Sequence, residues 1–119
     1  MNKILVVDDS KFIRKILLGI IKNNFDFNQI FEAENGIEAV KITRDQKPDI
    51  ITLDLTMPVM DGFNALELIK EINHNIYVII VSAMAGQSHF IIEAKEKGAD
   101  AILTKPFMTK DVLNTINKY

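Results

Sequence analysis

The chain has no cysteine, which excludes a disulfide framework, a thiolate nucleophile and a Cys-ligated zinc site, and fits a reducing compartment. Two histidines are too few for a His-rich metal cage. Neither sign of charge dominates: 14 Lys plus Arg stand against 16 Asp plus Glu, a formal net charge of -2. Nonspecific coating of nucleic acid and adhesion to anionic membranes are therefore not expected. Long hydrophobic runs are missing as well. The longest apolar-rich stretch, Ile76 to Ala85, is about half of the ~20 residues that a membrane-spanning helix needs, and Met1-Asn2-Lys3 leads into a strand pattern with no signal-peptide cleavage site. What is present is ordinary for a packed globular unit: 119 residues, 48% apolar and 25% charged. The expectation is one domain over residues 1–119, monomeric and cytoplasmic, without internal repeats or linkers.

Five short apolar runs rich in β-branched residues, Ile4–Val7, Gln29–Ala33, Ile50–Leu53, Tyr77–Val81 and Ala101–Leu103, predict strands. Between them the apolar spacing is helical. Phe12, Ile13, Ile16, Leu17, Ile20 and Ile21 form one stripe predicted to be core. Asn35, three residues before Glu38, predicts a capped helix with Ile37 and Val40 facing inward. Phe63, Leu66, Ile69 and Ile72 predict a third helix, Ile91 and Ala94 a fourth closed by Gly98, and Val112, Leu113 and Ile116 a fifth. Strand and helix alternating five times predict an α/β fold, doubly wound, with a five-stranded parallel sheet covered on both faces. Gln29–Ala33, the least apolar run, reads as an edge strand.

In such sheets function collects beyond the carboxyl ends of the strands, where the strand order reverses. The first strand ends in Asp8-Asp9-Ser10, the third in Asp54, the fourth in Ser82 and the fifth in Thr104-Lys105-Pro106. With the first and third strands as neighbours, about 4.8 Å apart, three carboxylates crowd one rim, and each close pair costs on the order of 1 to 4 kcal/mol even in a polar medium. A hard divalent cation relieves that repulsion; Mg2+ suits it, because it binds through one or two carboxylates, keeps waters and takes phosphate oxygens. Asp54 as a nucleophile would form an acyl phosphate, a transfer that needs positioning and charge neutralisation more than acid or base. Mg2+ on Asp8 and Asp9, the Lys105 ammonium and the Ser82 hydroxyl supply that neutralisation. No Walker loop, GxGxxG fingerprint or kinase catalytic loop is present, so the phosphoryl donor is expected to come from outside.

The ordered set Asp8-Asp9, Asp54 within Leu53-Asp54-Leu55-Thr56-Met57-Pro58, Asp61-Gly62, Ser82-Ala83 and Lys105-Pro106-Phe107 resembles the receiver domains of two-component response regulators over the whole chain, and among them the single-domain chemotaxis members. The resemblance implies a flavodoxin-like sheet in the order 2-1-3-4-5 with five helices. It implies Asp54 as phospho-acceptor, Mg2+ on Asp8, Asp9, Asp54 and the backbone carbonyl of Thr56, and Ser82 and Lys105 on the phosphoryl group. It further implies a cis bond before Pro106, a sensor histidine kinase as donor, and a downstream protein such as the flagellar motor switch or a phosphotransfer protein. Receivers are switches and not enzymes in the ordinary sense, so only self-catalysed phosphotransfer and slow autodephosphorylation are expected, with no direct nucleic-acid binding and no membrane insertion. Two positions depart from the family pattern: Ile102 stands where many members carry an aromatic switch residue, and Ser82 where threonine is commonest. Thr56 and Met84 fall where the family controls water access to the acyl phosphate.

Other readings compete. Taken alone, Asp8-Asp9 reads as a helix cap and the pair Lys105-Pro106 as an ordinary turn; three acids with Lys105 on one rim favour a site instead. The chain would also suit a phosphorelay intermediate or a receiver excised from a larger regulator. From a different class, a dehalogenase-type magnesium phosphatase also uses an Asp nucleophile with Ser or Thr and Lys, but wants DxDxT after its first strand, where this chain has Asp8-Asp9-Ser10. A flavin carrier would need a hydroxyl-rich phosphate loop that is missing there. His74 and His89 are expected at the surface.

Overall fold

The computed structural model describes residues 2–55, 57, 59–83 and 88–119. Strand and helix alternate as β1 (Lys3–Val7), α1 (Lys11–Asn24), β2 (Gln29–Ala33), α2 (Gly36–Gln46), β3 (Ile50–Asp54), α3 (Gly62–Ile72), β4 (Tyr77–Ser82), α4 (Ser88–Glu96), β5 (Ala101–Thr104) and α5 (Thr109–Asn117). All strand pairs are parallel and the order is β2-β1-β3-β4-β5. The mixed strand β2 lies at an edge, as its composition predicts, and the solidly apolar β3 and β4 are buried apart from Tyr77 at the start of β4.

The period of two along each strand divides the core into two layers. Leu5, Val7, Ile51, Leu53, Val78 and Ile80 face the side where Leu66 and Ile69 of α3 and Ala94 of α4 pack. Ile4, Val6, Ile50, Ile79 and Val81 face Leu17 and Ile21 of α1 and Val112 and Ile116 of α5. Each fully buried Leu or Ile is worth roughly 1.5–3 kcal/mol of transfer free energy, so the central strands are the rigid platform on which the loops stand.

The helix starts are locally encoded. Ser10 caps α1, its hydroxyl accepting from the Ile13 amide at 3.2 Å. Asn35 caps α2 by accepting from the Glu38 amide at 2.9 Å, as expected, and Asp61 caps α3 by accepting from the Asn64 amide at 3.0 Å. The segment after α4 closes at Gly98, whose φ of 108° is open to glycine.

Two inward assignments are corrected. In the α1 stripe, Leu17 and Ile21 are buried, but Phe12 is 71% exposed and Ile16 is also exposed. On α2 Val40 is buried, whereas Ile37 is 54% exposed. Phe12 and Ile37 lie in the first turns of their helices, close to the end where the parallel strands have run out, so the stripe continues past the sheet that would cover it. Ile72, in the last turn of α3, is likewise exposed.

Candidate functional site

The chain runs from β1 to β2 on one side and then crosses to β3 on the other, so the strand order reverses between β1 and β3. Register pairs Val7 with Leu53, which sets Asp8 and Asp54 one step further along on neighbouring strands. On the other flank Asp54 pairs with Val81 and Ser82 pairs with Thr104. Asp8, Asp54, Ser82 and Lys105 are thereby brought to one rim by register alone.

Asp8 is 1% exposed and Asp54 4%, while Asp9 is exposed. Oxygen atoms of the three carboxylates lie within 4.8 Å of one another. The Lys105 ammonium donates to Asp8 Oδ2 at 2.9 Å and lies 3.6 Å from Asp54 Oδ2. One ammonium, set against Asp8 and Asp54, beside a group of three carboxylates leaves the cluster with a formal negative charge, and two of the acids are shut off from water. Such a donor set of hard oxygens with residual charge fits a divalent cation of the Mg2+ type. Asp8, Asp9 and Asp54 would hold it.

Backbone contacts fix the frame. The Asp8 amide donates to the Ala33 carbonyl at 3.1 Å, and Asp8 Oδ1 accepts from the Ser10 amide at 2.9 Å. The cap of α1 is therefore Ser10, and Asp8 turns into the pocket instead of starting the helix. Ser82 is buried, and its carbonyl accepts from the Lys105 amide at 3.3 Å, joining β4 to the segment that carries the lysine. The Lys105–Pro106 bond is cis, as the resemblance implies. Ile102 is half-buried and packs against the α3–α4 side of the core. His74 and His89 are exposed. Thr56 and Met84 lie outside the described residues, as does Pro58.

Comparison with known proteins agrees with this geometry. A family model described as "Response regulator receiver domain" matches residues 4–117. The chain belongs to that family. It is 46% identical to the chemotaxis protein CheY of Listeria monocytogenes over 99% of this chain and 98% of that one. It is 41% identical to the sporulation initiation phosphotransferase F of Bacillus subtilis, over 99% and 93% respectively. Among solved structures it is similar to the CheX-CheY-BeF3-Mg+2 complex from Borrelia burgdorferi, with a TM-score of 0.90 and 34% identity over 98% of this chain and 87% of that one. As a receiver domain the chain is a phosphorylation-activated switch of a two-component system, a signalling protein and not an enzyme of the ordinary kind. The dehalogenase-type phosphatase and flavin-carrier readings are not favoured. Receiver domains bind Mg2+ at an acidic pocket, and the Asp8, Asp9 and Asp54 group is such a pocket.

Two further residues shape the rim, Gly62 from the Asp61-Gly62 pair and Arg14 from outside every motif. Gly62 stands against the backbone of Asp54 and Leu55, and its amide donates to the Leu55 carbonyl at 2.8 Å. Arg14 reaches back from α1 to the Asp8 carbonyl at 2.7 Å. One signal for Arg14 was available: it lies near the start of a helix whose first turn has no acidic residue, and a cation at the positive end of a helix needs a compensating partner.

Proposed function

We propose that this receiver accepts a phosphoryl group on Asp54 from a sensor histidine kinase and, so modified, changes its affinity for a partner in chemotaxis, with the flagellar motor switch as the downstream target. The observation that carries the reading is the Lys105 ammonium set 2.9 Å from Asp8 and 3.6 Å from Asp54 at a pocket of three converging carboxylates. In the transfer, a carboxylate oxygen of Asp54 forms the O–P bond as the P–N bond of the donor phosphohistidine breaks; the leaving nitrogen keeps the electron pair and is protonated. Bound Mg2+ supplies positive charge against the phosphoryl oxygens. Asp8, Asp9 and Asp54 would hold the cation. Lys105 transfers its hydrogen bond from Asp8 to a phosphoryl oxygen, and the Ser82 hydroxyl donates to another. Drawing Ser82 toward the new charge lets Ile102 repack without exchanging a hydroxyl partner, biasing the two-state equilibrium that the partner reads.

Chemotaxis is supported by the CheY relatives, here 46% identical over nearly the full length of both chains. Residues 1–119 act in this reading as one monomeric receiver unit, cytoplasmic, bound directly neither to nucleic acid nor within a membrane; no helix among the described residues is long and apolar enough to cross one. Slow hydrolysis of the acyl phosphate is self-catalysed. The test is transfer of labelled phosphate from a phosphorylated histidine-kinase domain, followed by a choice of acceptors. Label on the native chain, none on Asp54→Asn, and tighter binding of a motor-switch peptide support the proposal. Equal labelling of both chains overturns Asp54 as acceptor, and passage of the label to a histidine phosphotransfer protein with no gain in peptide binding replaces the motor reading with the phosphorelay one.

A further inference from the structure

We propose that Arg14 is a positioning residue for the cation site, acting through the peptide that joins Asp8 to Asp9; the inference rests on the acidic pocket being the Mg2+ site. All four polar groups of Asp8 are engaged. Its amide donates to Ala33 O at 3.1 Å, Oδ1 accepts from Ser10 N at 2.9 Å, Oδ2 accepts from Lys105 Nζ at 2.9 Å, and its carbonyl accepts from Arg14 Nη1 at 2.7 Å. The last of these differs from the others in what it controls. The Asp8 carbonyl belongs to the peptide plane on which Asp9 begins, so rotation of that plane swings the Asp9 carboxylate relative to the Asp8 carboxylate. Two ligands on consecutive residues serve one ion only while that plane is held.

Arg14 is itself held. Its side chain is 12% exposed, and Nε donates to Glu32 Oε1 at 3.0 Å. A planar guanidinium with fixed donors fits this double engagement, one edge on the Asp8 carbonyl and another on a carboxylate from β2. The chain of contacts runs from edge strand β2 through α1 to the acidic pocket and on to Lys105. A lysine at position 14 offers a single nitrogen in place of the two, Nε and Nη1, that hold the Glu32 carboxylate and the Asp8 carbonyl.

The test is magnesium binding to the whole chain, by calorimetric titration with MgCl2 and by the amide resonances of Asp8 and Asp9. Groups that orient metal ligands from behind typically change metal affinity by about 10–100-fold when removed, so Arg14→Ala is expected to weaken Mg2+ binding at least about tenfold. Arg14→Lys is expected to fall between the two, and Glu32→Gln, at the half-exposed end of the bridge, to weaken binding by a smaller factor. At saturating Mg2+ the rate of labelling by acetyl phosphate in Arg14→Ala should return to the native rate, a rescue that a purely structural defect would not show. Native Mg2+ affinity in folded Arg14→Ala overturns the proposal; if that variant does not fold, native affinity in both Arg14→Lys and Glu32→Gln overturns it. No saturable Mg2+ uptake by the native chain overturns the cation reading beneath it, which is a different result from normal uptake by native and variant alike.

Discussion

A β-carbon on Gly62 would overlap the carbonyl oxygen of Asp54. The same atom would overlap the Cα of Leu55 and stand 2.9 Å from the Asp54 carbonyl carbon, so the obstacle is backbone and not a side chain able to turn away. The Gly62 amide closes the approach with its 2.8 Å bond to Leu55 O. Gly62→Ala is therefore expected to force the loop off the end of β3. Overpacking of this kind costs about 1–3 kcal/mol, read as a lower urea midpoint. Because the displaced backbone is that of Asp54 itself, phosphorylation by acetyl phosphate should slow even where the variant is fully folded.

Thr52 on β3 carries the opposite kind of defect. It is buried, and its hydroxyl is the one buried side-chain polar atom without a hydrogen-bond partner among the described residues. An unsatisfied buried hydroxyl costs roughly 1–3 kcal/mol, and valine has nearly the same shape. Thr52→Val is expected to raise the urea midpoint with the m-value unchanged. Phosphorylation should be unaffected, since the hydroxyl makes no hydrogen bond to the pocket.

Tyr77 gives a pH signature away from the site. Its phenol donates to the Thr115 carbonyl at 3.1 Å and its ring meets Tyr119 edge-on at 5.6 Å. Burial, and secondly the charge of Asp100, which is paired with Lys70 at 2.8 Å, raise its pKa above the ordinary 10.0. The unfolded chain then loses this proton at lower pH than the folded one. The stabilisation is complete below pH 10.0 and is lost as pH rises through the folded value. In a Tyr119→Phe background, which leaves Tyr77 as the remaining tyrosine, phenolate absorbance should rise at higher pH in the folded than in the urea-unfolded protein. A coincident pair of titrations would contradict the account.

The sheet and the pocket's main acids were legible in the sequence for a simple reason: strand ends are marked by where apolar runs stop, and Asp8, Asp54, Ser82 and Lys105 each stand at such a stop. Spacing could not tell how far the sheet extends beneath a helix, which is why Phe12 and Ile37 read as core and are exposed. Nor could adjacency separate Asp8 from Asp9. The two acids differ sharply in burial because the Asp8 carboxylate turns in to meet Lys105 and the Ser10 amide. Arg14 left only its place near the start of a helix without an acidic first turn, because its partner at the pocket is a backbone carbonyl six residues earlier, and main-chain acceptors leave no mark in side-chain patterns.

On the proposed function, Asp54 accepts a phosphoryl group with Mg2+ in the adjoining acidic pocket. This is tested most directly by the intact mass of the native chain and of Asp54→Asn after incubation with acetyl phosphate, in Mg2+ and in excess EDTA. The prediction is a gain of one phosphoryl group on the native chain in Mg2+ alone. A gain of equal size on Asp54→Asn, or on the native chain in EDTA, would contradict it.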